Sequence, residues 1–286
     1  MESKIINYLE KAIDSINSNV IILSLDFIQI ARFLNKKFIA RSHVDNISDY
    51  LFSNYSIKSN KNILLQSFDL NFPSSNLYDK RGSISIPSAL TKAALKSEKF
   101  KRSENPMYSY LYSNSKFDMS SVNAVNIFGN KSVFSGLIEM DAYLLTLGHH
   151  YIKSFTNVHH AEALAKVNYR ENIIFTGRKI DEQSNSSNCE AVFFGRKPNI
   201  CLHSGLNKYG EDIITKNKDI CKLHIAKELN NLYGYAISMK KTNDLLVNNL
   251  LSSEKKMITC VSPQSRNSDY IYPGELDKIY SGYRPI

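Results

Sequence analysis

No apolar run in this chain of 286 residues approaches the ~20 needed to cross a bilayer. Its first residues, Met1-Glu-Ser-Lys-Ile-Ile-Asn, lack the basic-then-apolar order of a secretory signal. A soluble, cytoplasmic protein is expected. Cysteine is scarce. Cys189, Cys201, Cys221 and Cys260 match no zinc spacing, and without a signal peptide they are expected to be reduced, mostly buried thiols. Three signatures are missing: G-x-x-x-x-G-K-[ST], G-x-G-x-x-G and G-x-S-x-G. Their absence argues against a P-loop enzyme, a standard dinucleotide site and an α/β-hydrolase. No arginine-rich tract, repeat, low-complexity segment or linker breaks the chain. The first of these weakens a nucleic-acid reading, and the rest favour one domain.

What is present is an ordinary globular composition, 43% hydrophobic and 22% charged, enough for a sizeable core. The net charge of +9 favours an anionic partner: nucleic acid, acidic lipid or a phosphorylated cofactor.

The periodicity alternates between strand and helix. Short apolar runs predict buried strands at 19–24, 62–68, 142–148, 172–177 and 191–194, with further strands at 108–112 and 234–239. Helical spacing runs through 1–18, where Ile5, Leu9, Ala12, Ile13 and Ile16 recur. It returns at 27–34, 45–55, from Ile86-Pro87-Ser88 onward, 132–140, 218–232 and 242–252. Residues 71–83 read as loop and the Tyr-, Pro- and Gly-rich tail 262–286 as irregular. This alternation predicts a single α/β domain over 1–261 with the tail packed on it.

One stretch carries chemistry. Thr156-Asn-Val-His159-His-Ala-Glu162 follows the strand 142–148, and at 3.6 residues per turn Thr156, His159, Glu162 and Ala163 share a helix face. A histidine oriented by a carboxylate is a general base. His160 points about 100° away from His159, so the two are poorly placed to share one metal ion, and no metal is expected. Ser132 can cap the helix after Phe128-Gly129, and a basic stretch, Lys99, Lys101 and Arg102, offers a phosphate rim.

Four of these pieces, in this order, resemble the aminoglycoside 3-N-acetyltransferase family of acetyl-CoA-dependent enzymes. Arg102-Ser103-Glu-Asn-Pro106 is similar to its R-S-x-H-P, and Phe128-Gly129-Asn-Lys-Ser132-Val-Phe134 to its glycine-serine loop. Ala142-Tyr-Leu-Leu-Thr-Leu-Gly148 resembles its L-L-L-G strand. Thr156-x-x-His159-x-Ala-Glu162, followed by Tyr169-Arg170, resembles its T-x-x-H-x-A-E element. The likeness covers about a third of the chain, from about 85 to 170.

The resemblance implies a central mixed, largely parallel sheet flanked by helices, acetyl-CoA as co-substrate, an amine acceptor and a dimer. It implies roles for residues as well. His159 is the base. Glu162 orients it or holds the acceptor's cation, and Glu190 is a second carboxylate for either task. Thr156 donates to the thioester or the acceptor. Ser24, Lys101, Arg102, Ser103, Lys131 and Ser132 hold coenzyme A. Asp26 and Asn105 face the acceptor. Asn105 stands where the family has histidine, and Ser24-Leu25-Asp26 where it has H-x-S. These departures favour a biosynthetic, nucleotide-linked amino sugar over an aminoglycoside. The alternatives are a non-catalytic relative that binds coenzyme A or a sugar, and a basic protein that binds an anionic partner.

Overall fold

Val20–Leu25 (β1) is apolar at every position except Ser24, and both its faces are covered, which is why the run has no polar alternation. It comes from a computed structural model that describes residues 1–85, 88–97, 100–112, 119, 122–197 and 206–252. Ile86, Pro87, Lys99, Cys201, Cys260 and the 262–286 tail lie outside the described residues. The other strands are β2 Asn62–Gln66, β3 Leu77–Asp79, β4 Lys101–Arg102, β5 Tyr110–Tyr112, β6 Tyr143–Leu147, β7 Arg170–Ile180, β8 Ser186–Arg196, β9 Cys221–Ala226 and β10 Leu232–Ser238. The helices are α1 Glu2–Asp14, α2 Phe27–Phe33, α3 Arg41–Asp49, α4 Ser56–Ser59, α5 Phe72–Ser75, α6 Ala89–Leu95, α7 Val133–Glu139, α8 Val158–Leu164, α9 Lys208–Thr215 and α10 Met239–Leu251.

The main sheet runs β4-β5-β2-β1-β6-β10-β9. β1 pairs parallel with β2 and β6, whereas β5, β4, β10 and β9 all add antiparallel. The sheet is mixed, as expected. Five of its seven strands, β4, β2, β1, β6 and β9, run alike, and β5 and β10 run the other way. The connections between the three central strands pass through helices.

Alternate residues of the central strands feed two cores. Ile21, Leu23, Leu25, Ile63, Leu65, Leu145 and Leu147 face Ile5, Leu9 and Ile13 of α1, Ile30 of α2 and Ile47 of α3. Val20, Ile22, Leu64 and Leu144 face Phe134 and Leu137 of α7, Val158 and Ala161 of α8, and Leu246 and Leu250 of α10. A second sheet, β3-β7-β8, is built on a long β7–β8 hairpin, and the bridge Asn126↔Val192 ties it to the loop before α7.

Several boundaries differ from expectation. Residues 218–232 form no α-helix. Their Ile220, Leu223, Ala226, Leu229 spacing imitates one, but they make the edge strand β9 and a short 3-10 turn at Lys227–Leu229. Residues 71–83 hold α5 and β3, and α9 had no clear sequence signal.

Candidate active site

β6 ends at Gly148, whose φ of +83° and 3.0 Å clearance to the Asp26 carbonyl leave no room for a side chain. The chain then turns through His149, His150 and a 3-10 turn at Tyr151–Lys153 into α8. The helix is shorter than its pattern suggested. Thr156 sits in the turn before it, where its carbonyl accepts from the His159 N–H at 3.2 Å. Asn157 fixes the helix start by donating from Nδ2 to the Met239 carbonyl of α10.

His159 Nδ1 lies 2.9 Å from Glu162 Oε2. The same oxygen is 2.7 Å from Arg170 Nε, and Tyr169 donates its hydroxyl to Oε1 at 2.8 Å. The side chains of Glu162 and Arg170 are 0% and 1% exposed, and that of His159 is 13% exposed. A carboxylate facing a guanidinium can only accept, so Nδ1 carries the imidazole proton and Nε2 is left as the basic nitrogen. Among the described residues Nε2 has no hydrogen-bond partner. The edge of Phe128 rests against the ring at 5.6 Å between centroids. Burial is the main cause that holds the imidazole below its ordinary pKa. Arg170 adds to the effect, and Glu162 opposes it. His159 is therefore neutral at neutral pH. Thr156, half-buried one turn away, offers a hydroxyl that bonds nothing among the described residues.

His160 turns the other way, as its spacing implied. Its Nδ1 accepts from the Gly129 N–H at 3.2 Å, and burial lowers its pKa to about 4. It braces the loop in which Gly129 (φ +85°) and Lys131 (φ +52°) are both left-handed. The chain places an exposed lysine at Lys131, where the resembling motif has its second glycine, so its side chain faces solvent and its backbone does the glycine's work.

Several expected contacts are structural instead. Arg102 is buried. It donates to the carbonyls of Ser67 and Ser83 and to Ser109 Oγ, and it lies over the Tyr78 ring. Ser103 accepts from the Tyr110 N–H. Ser132 caps α7 by accepting from the Ser135 N–H. Arg102 and Ser132 are engaged by these partners, Ser103 Oγ only accepts among the described residues, and Lys101 is exposed on the edge strand β4. Asn105, 1% exposed, accepts from the Met107 and Tyr108 N–H groups and donates to the Ala124 carbonyl, so it holds a turn. Asp26 caps α2 by accepting from Ile28 and Gln29. Glu190 is exposed on β8, and the charged groups that act on His159 are Arg170 and Glu162.

Ser24 belongs to a second polar chain, at the carboxyl ends of β1 and β6. His149 Nδ1 faces the His150 carbonyl at 3.0 Å, and its Nε2 faces the Ser24 carbonyl at 3.2 Å. Nε2 also lies 3.1 Å from Ser24 Oγ, and Ser24 Oγ lies 2.8 Å from Ser154 Oγ. His149 and Ser154 line a cavity of about 310 Å³, together with Asp26, Lys153 and Ser88. Sequence reasoning did not assign Tyr169 or Arg170 a role. A signal existed: Glu162 shares its helix face with Val158 and Ala165, and a carboxylate beside apolar residues requires a cation.

No protein-family model matches the chain, and no curated protein matches it. Solved structures do. The aminoglycoside acetyltransferase AAC(3)-Xa superposes with a TM-score of 0.64 at 12% identity, over 87% of this chain and 92% of that one. AAC-IIIb, in a binary complex with CoASH, gives 0.63 at 14% over 90% and 98%. AAC-VIa bound to sisomicin gives 0.61 at 13% over 87% and 96%. At these identities the likeness is one of fold.

Proposed function

We propose that this protein is an acyl-CoA-dependent N-acyltransferase that moves an acetyl group to the amine of an amino sugar. One observation carries the reading: a neutral imidazole, fixed by a buried carboxylate at 2.9 Å with its second nitrogen unengaged, on a fold shared with acetyltransferases. Amine acylation needs a base to take the proton of the attacking nitrogen, and this reading gives that task to His159 Nε2. The acceptor nitrogen attacks the thioester carbonyl, its proton passes to Nε2, and the thiolate leaves directly. No cysteine is part of the His159 network described above, so no covalent acyl-enzyme step is included.

The cavity beside Ser154 and His149 shares Phe27, Ile28 and Ala89 with an apolar cleft of about 340 Å³ rimmed by Lys37, Arg41 and Lys92. Together they suit a partly apolar, phosphorylated co-substrate such as acetyl-CoA. The acceptor is assigned to an open groove of about 810 Å³ over the β7–β8 hairpin, with Glu104, Arg178, Lys179 and Glu190 on its walls. Because the groove carries both charge signs and the chain is +9, a nucleotide-linked amino sugar fits better than a polycation. The test is mass spectrometry of amino-sugar, nucleotide-amino-sugar and aminoglycoside panels incubated with acetyl-CoA. Acetylated product with wild-type protein and about a hundredfold less or lower with His159→Ala is expected. Full transfer by H159A removes the assigned base.

A further inference from the structure

A carboxylate held on one side only can rotate away from the histidine it orients. Glu162 is held on three. Oε2 is shared between His159 Nδ1 and Arg170 Nε, and Oε1 takes the Tyr169 hydroxyl. The two holders are consecutive residues where β7 begins, and the open end of the β7–β8 hairpin fixes both. Arg170 Nη1 donates to the Phe194 carbonyl at 3.1 Å, and the Lys197 N–H donates to the Tyr169 carbonyl at 2.9 Å. The second sheet thus reaches the catalytic helix through these two side chains.

We infer that Arg170 and Tyr169 are positioning residues, which clamp Glu162 so that His159 keeps its proton on Nδ1 and its lone pair on Nε2. The inference rests on the reading of His159 as base. The charge balance supports it. With Arg170 present, the resting site holds one cation and one anion, and proton uptake by His159 adds an uncompensated charge in a dry place. Without Arg170, a buried Glu162 would draw a proton onto His159 to make its own ion pair, and the base would be occupied at neutral pH. The charged groups acting on the imidazole are Arg170 from β7 and Glu162 from its own helix. The loop before α7 contributes only the Phe128 ring, α10 meets α8 through the Asn157–Met239 bond, and Tyr108 faces Arg170.

The experiment follows the His159 ring by NMR titration, with the H159A spectrum for assignment, alongside the pH profile of kcat/KM. Arg170→Gln should raise the His159 pKa by about one unit or more and carry the acid limb of the rate profile with it. It should lower kcat about tenfold at pH 7. Arg170→Lys, which keeps the cation, should return the limb towards wild type. Tyr169→Phe, which removes one hydrogen bond and no charge, should lower kcat several-fold with KM unchanged. A folded R170Q whose His159 titration and acid limb match wild type overturns the clamp, as does wild-type kcat in Y169F for the tyrosine's part. The NMR arm separates the two proposals. If the titration moves as stated while wild type acetylates no amine, the clamp stands and acyl transfer falls. If acetylation is seen without the shift, the reverse holds.

Discussion

An imidazole can collect a proton only while it lacks one, so the depressed pKa of His159 is part of its usefulness. The ordinary value is about 6.5, and burial with Arg170 beside it holds the group below that. The acid-side inflection of kcat/KM should therefore lie below 6.5, with His159 fully basic at neutrality. An inflection above 6.5 that disappears in H159A contradicts the assignment. His159→Ala should cost about 10²–10⁴-fold in kcat/KM with little loss of stability, since only one edge of the ring is in the network. Glu162→Gln should differ in kind. It strands the 1% exposed Arg170 and should cost roughly 3–5 kcal/mol in urea unfolding as well as activity. Full activity and full stability in E162Q would falsify the buried-pair account.

At the scale of elements, the misassigned residues teach the most. Ser132 resembles a cofactor contact in its motif, yet it caps the short helix α7 and helps hold the loop against His160. Ser132→Ala should cost about 1 kcal/mol of stability, measured by denaturant, and leave coenzyme A affinity unchanged. A large loss of affinity with no loss of stability returns Ser132 to the cofactor. The strand–turn–helix unit β6 to α8 was legible because its apolar run, glycine stop and helical polar face are all local signals. The His159–Glu162 pair was legible for the same reason. Arg170 and Tyr169 were not, because their partner lies on another element and no spacing rule joins a helix face to the first residue of a strand. The roles of Arg102 and Asn105 were hidden too. A side chain that saturates its bonds with backbone carbonyls and N–H groups has the same letter as one that meets a ligand. β9 was hidden because the Ile220, Leu223, Ala226, Leu229 spacing imitates a helix over the same residues in which Cys221, Leu223 and Ile225 alternate with Lys222 and His224.

Over the whole molecule, three buried histidines set a lower pH limit. His150 and His160 fall to about 4 through burial, and His149 is lowered by the same cause. Each is neutral when folded and protonates near 6.5 when unfolded, so the unfolded chain binds more protons between those values. Their contribution is complete above pH 6.5 and is lost as pH falls towards 4. The loss is on the order of 3 kcal/mol for each of the two that reach about 4. Melting temperature should drop steeply over that window, and H160Q should flatten part of the drop; a flat profile from pH 7 to 4 rejects the account. The edge strand β9 has a colloidal consequence. Leu223 and Ile225, 50% and 53% exposed, lie on β9, a margin of the main sheet with no further strand beside it among the described residues, and make that margin sticky. Repulsion from the net charge of +9 keeps such margins apart at low salt, and it shortens to about 8 Å in reach at physiological ionic strength. The second virial coefficient from light scattering should turn negative as salt is added, and Leu223→Lys should keep it positive. The cation excess and the greasy margin therefore act as opposing terms in the same solubility balance.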